Sequence, residues 1–432
     1  MVNLNEIYEE VDNLDTDKIM DLMKTLIKID TTVPPGNSYR EYVDVISPYF
    51  KELDYSLEEV NMPEELVKQI PYPLEGPRVN LVATKDFGQE KYVTFYGHMD
   101  VVPAPDEGEK KWRFPPFEAT MIKSGKIYGR GVADMKGSMV CLILALQLIE
   151  KLKFTPQYNI RVLNCTDEEI GNYPGVRYLE EQGYIKGTTS EEKSMVFCME
   201  GVINPIIPIG MAGDLDVVVE TIGRSCHSGM NFMGVNALEE MIPILNELMK
   251  LKKIVEERES QDIPGFPRPG TGEKRNMTPM FNLDIIRSGE KANIVPDLCT
   301  LTINRRLIPD ENYENVKKEI QDAIERGKQK SKALNVRTTF KYTYPPLKTD
   351  PNSHASIRLK KVYNCVQNIP EENIPVIGVS GSTDMGFLTE YDVIVPGVAN
   401  TGSNPHGVNE TIKLKDVKTF IKQIIVFLCA DL

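Results

Sequence analysis

The feature that most limits how this chain can fold is a rhythm that stops and then restarts. Between residues 79 and 199, short β-rich runs (79–84, 92–96, 127–129, 158–164, 196–199) interleave with helical patterns over 137–152 and 175–182. Parallel strands need a crossover connection, so this order points to an α/β domain around a parallel or mixed sheet. After about residue 211 the pattern changes. A half-exposed strand at 214–222 is followed by an amphipathic helix at 237–251 and strands at 280–286 and 300–304. A helix at 313–326, with Gly327 as its stop, and a strand at 336–344 complete the segment. The order β-α-β-β-α-β is that of a ferredoxin-like unit. From Ser353 the first rhythm resumes and runs to the last residues.

A chain of 432 residues is long for one ordinary domain. The reading is an α/β domain with a central mixed sheet, built from residues 1–211 and 346–432 and interrupted by an α+β domain over 212–345. Ahead of the first strand, residues 15–29 (DTDKIMDLMKTLIKI) form a capped amphipathic helix. Residues 31–37 break it and 39–53 start another. The Pro-rich stretches 61–78 and 256–278 read as long loops.

Lys and Arg number 50 against 63 Asp and Glu, a net charge of −13. That surface repels phosphate and excludes nucleic acid and anionic membranes as partners. The longest apolar run, 139–146, is too short to span a bilayer. The first residues, MVNLNEIYEEVDNLD, lack the basic and apolar regions of a signal peptide. The seven cysteines form no CxxC pair, and several lie inside apolar runs. They read as reduced thiols of a cytoplasmic protein.

Chemistry-bearing residues gather at strand ends. His98 and Asp100 follow the 92–96 strand two residues apart, so on extended backbone they share a face. A carboxylate beside an imidazole can fix its tautomer for metal binding. The segment GRGVADMKG (129–137) bends between a strand and the long apolar helix and presents Asp134 near the helix N-terminus, where backbone N–H groups can hold it. Its spacing fits no phosphate-binding loop, and the Asp would repel phosphate. Thr166-Asp167-Glu168-Glu169 follows the 158–164 strand. It is either a solvated turn or a pair in which one Glu ligates metal and its neighbour stays free as a base. Glu200 ends a buried strand, a costly place for a carboxylate without a partner. His227 lies in the inserted domain and His406 in a turn-rich loop, while His354 reads as an ordinary surface histidine. Imidazoles and carboxylates without thiolate suit zinc, cobalt or manganese.

Taken together, GHMD, GRGVADMKG, TDEEIG, MEG, GRSCHSG and SNPHGVNE closely resemble, in the same order, the acetylornithine deacetylase / succinyl-diaminopimelate desuccinylase / aminoacylase family of dinuclear zinc hydrolases. The resemblance spans about residues 15–430. It implies that Asp134 bridges two metal ions, that His98 and Glu200 complete one site, and that Glu169 and His406 complete the other. Glu168 matches the general base, and Asp100 the residue that orients His98. His227 resembles a lid histidine that stabilises an oxyanion. Arg306 resembles a lid arginine for a substrate carboxylate, although Arg305 stands beside it. Asn293 and the loop carrying Ser382 and Thr383 match substrate-side positions. The inserted domain matches a lid that doubles as a dimerisation domain, which implies a homodimer.

The function expected from this resemblance is metal-dependent removal of a succinyl or acetyl group from an N-acyl amino acid such as N-succinyl-diaminopimelate or N-acetylornithine. The cofactor would be two divalent ions, zinc first, with cobalt or manganese in second place. A dipeptidase or carboxypeptidase on the same scaffold is the alternative, with a short peptide as its substrate. A non-catalytic metal-dependent binding protein is a more remote one. The family's dipeptidases usually carry Asp where this chain has Glu200.

Overall fold

Asp15 starts the helix Thr16–Ile27 by accepting the Asp17 N–H at 3.0 Å. Its apolar residues are buried, Ile19, Met23 and Leu26 fully so. This helix packs on Lys136–Leu152, which is apolar nearly all round and buried along almost its whole length, with Leu414–Cys429 against it. The computed structural model describes residues 3–105, 111–185, 193–201, 203–268 and 270–432. It divides into two compact units: residues 1–208, 349–376 and 388–432, and residues 209–348 with 377–387.

The main sheet of the first unit runs Ser56–Asn61, Val79–Lys85, Asn159–Cys165, Tyr92–His98, Met195–Cys198, Asp392–Ile394. The last four strands are parallel to one another and the first three antiparallel, so the sheet is mixed. Every residue of Asn159–Cys165 is buried. Strands covered on both faces read as continuous apolar runs, which is why this region was legible. Ser56–Asn61 was not. It is an edge strand with the sequence SLEEVN, mostly exposed, and it shows no apolar alternation. The loop 61–78 likewise contains one short helix, Glu64–Val67.

Parallel strands present their C-terminal ends at one edge, and ligands of open α/β sheets bind there. His98 is the last residue of its strand and lies in register with Cys165, the last of its own. The turn carrying Glu168 and Glu169 follows Cys165, and Glu200 follows Cys198 by two residues. A separate small sheet pairs Lys126–Tyr128 with Thr411–Lys413, antiparallel. That pairing brings the 129–135 turn beside the 403–410 loop, with the Gly129 N–H on the Glu410 carbonyl at 3.1 Å.

The second unit contains an antiparallel sheet ordered Met280–Ser288, Leu298–Leu307, Gly213–Ile222, Asn335–Tyr344, packed against helices Ala237–Glu256 and Tyr313–Lys328. Leu215, Val217 and Val219 point from the sheet into a core shared with Met241, Ile244 and Ile320. One expectation is corrected here. Gly327 does not stop its helix, which continues to Lys328. A Cβ at Gly327 would lie 2.5 Å from the Ile244 Cα, so the glycine permits the close crossing of the two helices.

Candidate metal centre

Asp134 stands between two imidazoles. Its Oδ1 is 3.1 Å from His98 Nε2 and its Oδ2 3.2 Å from His406 Nε2. His406 Nε2 is 3.0 Å from Glu169 Oε2, and His98 Nε2 is 3.8 Å from Glu200 Oε1. Two donor clusters result, His98–Asp134–Glu200 and Asp134–Glu169–His406. Within each, one atom per residue lies within 4.8 Å of the others, and they share only Asp134. Glu168 is 4% exposed and also brings a carboxylate oxygen within 4.8 Å of one of Glu200.

The supports are buried polar groups. His98 Nδ1 lies 3.0 Å from the Asp100 backbone carbonyl and 3.7 Å from its Oδ1. The carbonyl is therefore the nearer partner, and it fixes the proton on Nδ1. Asp100 Oδ2 accepts the Glu169 N–H at 2.8 Å, so one buried Asp touches residues of both clusters. The N–H groups of the glycine turn, expected to hold the Asp134 carboxylate, go to Glu410 instead: Gly131 at 3.0 Å, Ala133 at 2.7 Å and Asp134 itself at 3.2 Å. Asp167, beside Glu168, adopts φ +62°. It accepts from Tyr39 Oη at 2.9 Å and from the buried Arg78 at 3.2 Å. Arg78 also binds the Pro35 and Gly76 carbonyls.

The model of peptidase family M20/M25/M40 matches residues 94–428, more than three quarters of the chain. The chain belongs to this family. It is a metal-dependent hydrolase of amide bonds, as the family is. The chain is 27% identical over 433 residues to the N-formyl-4-amino-5-aminomethyl-2-methylpyrimidine deformylase of Bacillus subtilis, covering 95% of this chain and 94% of that one. It is 26% identical to a probable succinyl-diaminopimelate desuccinylase of Staphylococcus epidermidis, covering 94% and 93%. The dipeptidase Dug1p of Saccharomyces cerevisiae shares the fold, with a TM-score of 0.78 at 17% identity over 98% of both chains.

The donor set of this M20 chain fits divalent metal. Two imidazoles and three carboxylates without a thiolate suit borderline cations. Glu169 Oε1 is buried and accepts no hydrogen bond among the described residues, a costly arrangement that a cation relieves. Protonation tells the same story. Hydrogen bonds to Asp134 and Glu169 raise the His406 imidazole to about 11. Burial lowers the affinity of His98 for a proton, but Asp100 and Asp134 outweigh it and hold the pKa well above the ordinary histidine value. Burial and the nearby Asp134 charge raise Glu169. The cluster attracts positive charge, and a metal ion competes with protons for the same lone pairs.

The other residues singled out in the sequence lie in the second unit, except His354, which is in the first. His227 is exposed, and its Nδ1 accepts the Gly229 N–H at 3.0 Å, leaving Nε2 to carry the proton. Asn293 is exposed, and its carbonyl accepts the Ser228 N–H beside His227. The two neighbouring arginines separate clearly. Arg305 is fully buried and paired with Glu311. Arg306 is half-buried, bonded to Asn304 Oδ1 at 3.0 Å and to Ser382 Oγ. Thr383 is buried, with its Oγ1 accepting the Met385 N–H. His354 is exposed, at the first turn of its helix.

Sequence reasoning passed over Arg78, Tyr39, Arg130 and Glu410. Glu410 lay within a quoted motif, and its only signal was an acid in an otherwise neutral turn. Arg78 carried none, since a single Arg after a Pro is ordinary surface chemistry.

Proposed function

We propose that this enzyme removes a short acyl group from an N-acyl amino acid, with N-succinyl-diaminopimelate and N-acetylornithine as the first substrates to test. The observation that carries the reading is Asp134 shared by two donor clusters, with the Glu168 carboxylate beside them. The relatives named a deformylase and a desuccinylase, each spanning almost the whole chain, support acyl removal. Glu rather than Asp at position 200 favours it over a dipeptidase.

His98, Asp134 and Glu200 would hold one ion, and Asp134, Glu169 and His406 the other. Zinc fits the donor set best, with cobalt or manganese as substitutes. When bound, two divalent cations polarise a carbonyl and bring the pKa of water from about 15.7 towards 7. Glu168 takes the proton of the attacking water and delivers it to the leaving nitrogen. Asp100 orients His98 throughout. The Nε2–H of His227 donates to the oxyanion. Arg306, with its plane set by Asn304 and Ser382, pairs with the substrate carboxylate, while Asn293 and Thr383 shape the substrate side.

The protein acts as a homodimer through the inserted domain, residues 212–345, which serves as the lid between the two catalytic parts, 1–211 and 346–432. Supporting this, Phe232 is 82% exposed, Ile242 50% and Ile286 49%, and Met280–Ser288 is at the edge of its sheet. The double variant Ile242→Asp/Ile286→Asp then sediments as a monomer. Seven cysteines, none of them in a disulfide, support a cytoplasmic location, and no helix among the described residues is long and apolar enough to cross a membrane.

The deciding experiment is an amide-hydrolysis panel on metal-stripped protein with zinc or cobalt restored. It holds N-succinyl-diaminopimelate, N-acetylornithine, other N-acyl amino acids and free dipeptides. Metal-dependent cleavage of an N-acyl amino acid is the expected result. Cleavage of dipeptides alone would replace this reading with a peptidase.

A further inference from the structure

Glu410 belongs to neither donor cluster, yet none of it reaches solvent. One carboxylate oxygen accepts the N–H groups of Ala133 and Asp134, and the other accepts Gly131 N–H and Arg130 Nη1, the latter at 2.7 Å. The second arm of the same guanidinium donates to the His406 carbonyl at 3.2 Å and to the Pro103 carbonyl at 3.2 Å. Trp112 covers the guanidinium, its ring centre 5.3 Å away. A carboxylate and a guanidinium both lose water here, and that loss is offset only when nearly every donor and acceptor is used. Five of the six bonds of this pair go to backbone, two of them to the metal-ligand residues Asp134 and His406, and among the described residues only Arg130 Nε is left without a partner.

We propose that Glu410 and Arg130 are positioning residues that set the two cation sites relative to each other. Glu410 holds the main chain of Asp134, the shared ligand. Arg130 holds the main chain of His406, which serves only one cluster. The inference rests on the two-metal reading and adds an asymmetry to it. Glu410→Gln removes the charge that gathers the Asp134 turn, so both sites weaken. Arg130→Lys keeps a cation against Glu410 but has no second arm for the His406 carbonyl. It weakens only the Asp134–Glu169–His406 site.

The test is a cobalt titration of metal-free full-length protein, followed by calorimetry and by the visible absorption of the bound ion. The unfolding temperature of each metal-free protein is recorded beside it. Wild type takes up two ions. Arg130→Lys takes one with unchanged affinity and the other roughly 10- to 100-fold more weakly, the usual cost of losing a group that supports a ligand. Glu410→Gln binds both more weakly. If Glu410→Gln does not fold, Arg130→Lys decides alone. Equal weakening of both ions in Arg130→Lys, or lowered unfolding temperatures with wild-type cobalt affinities, would overturn the inference. Fewer than two ions in the wild type would instead overturn the two-metal reading itself.

Discussion

His98 and His227 each close a short strand, but the two units treat them in opposite ways. His98 is 2% exposed, with one nitrogen on a carbonyl and the other on a carboxylate that also reaches His406. His227 is exposed, and its ring accepts a backbone N–H two residues away. Arg306 is intermediate, bonded to neighbours in its own unit and partly open to solvent. In the first unit the polar residues constrain one another, so their geometry already states a chemistry. In the second, His227 and Arg306 stay open to solvent, and the roles proposed for them need a partner from substrate.

That contrast can be broken by experiment, starting where the effect is largest. On the proposed assignment, replacing Glu168 with Gln removes a proton carrier but no cation ligand. Turnover is expected to fall on the order of 10²- to 10⁴-fold, with two metal ions still found by elemental analysis. Loss of metal would move Glu168 into the ligand set. His227→Ala should lower kcat by roughly 10²- to 10³-fold, with KM and metal content little changed. If it lost metal instead, the exposed histidine would belong with the buried ones.

The metal-free cluster sharpens the comparison through pH. Its imidazoles have raised proton affinity, His406 to about 11, so near neutral pH a metal ion must displace protons in order to bind. Apparent affinity should therefore rise with pH between 6 and 8, by about tenfold per unit for each proton released. Competition titrations across that range measure the slope, and a flat profile would contradict the assigned ligand set. The smallest effect concerns packing in the second unit. Gly327→Ala gains helix propensity but drives a methyl into the Ile244 backbone, and denaturant unfolding should show a net loss of about 1–3 kcal/mol. A gain would mean that the helices can separate at little cost.

Much of this architecture is readable in the sequence. Buried parallel strands are apolar along their length, and 92–96, 158–164 and 196–199 stood out for that reason. The ferredoxin-like segment showed the alternation of a sheet covered on one face. Ser56–Asn61 escaped because an exposed edge strand has no apolar face to betray it. Gly327 was misread because a glycine needed for close approach looks the same in sequence as one needed for a left-handed turn. The full ligand set came from the resemblance of the six motifs to the family, whereas Glu200 was visible because a carboxylate at the end of an apolar strand is costly without a partner. Arg78 and Arg130 were not, because the cost of burying an arginine appears only once its burial is known.

The sequence alone determined most of the element order and the mixed α/β class, and it pointed to an interrupted domain plan and to the candidate ligands, since periodicity and strand-end chemistry are local properties. Only the tertiary structure decided that Asp134 faces two imidazoles at once, that Arg306 rather than Arg305 is open to solvent, and that Glu410 gathers the turn beneath the shared ligand. Each of these depends on groups as much as 308 positions apart, His98 and His406 among them. Distances of about 3 Å between such residues are set by sheet register and loop packing, which no single stretch of chain encodes.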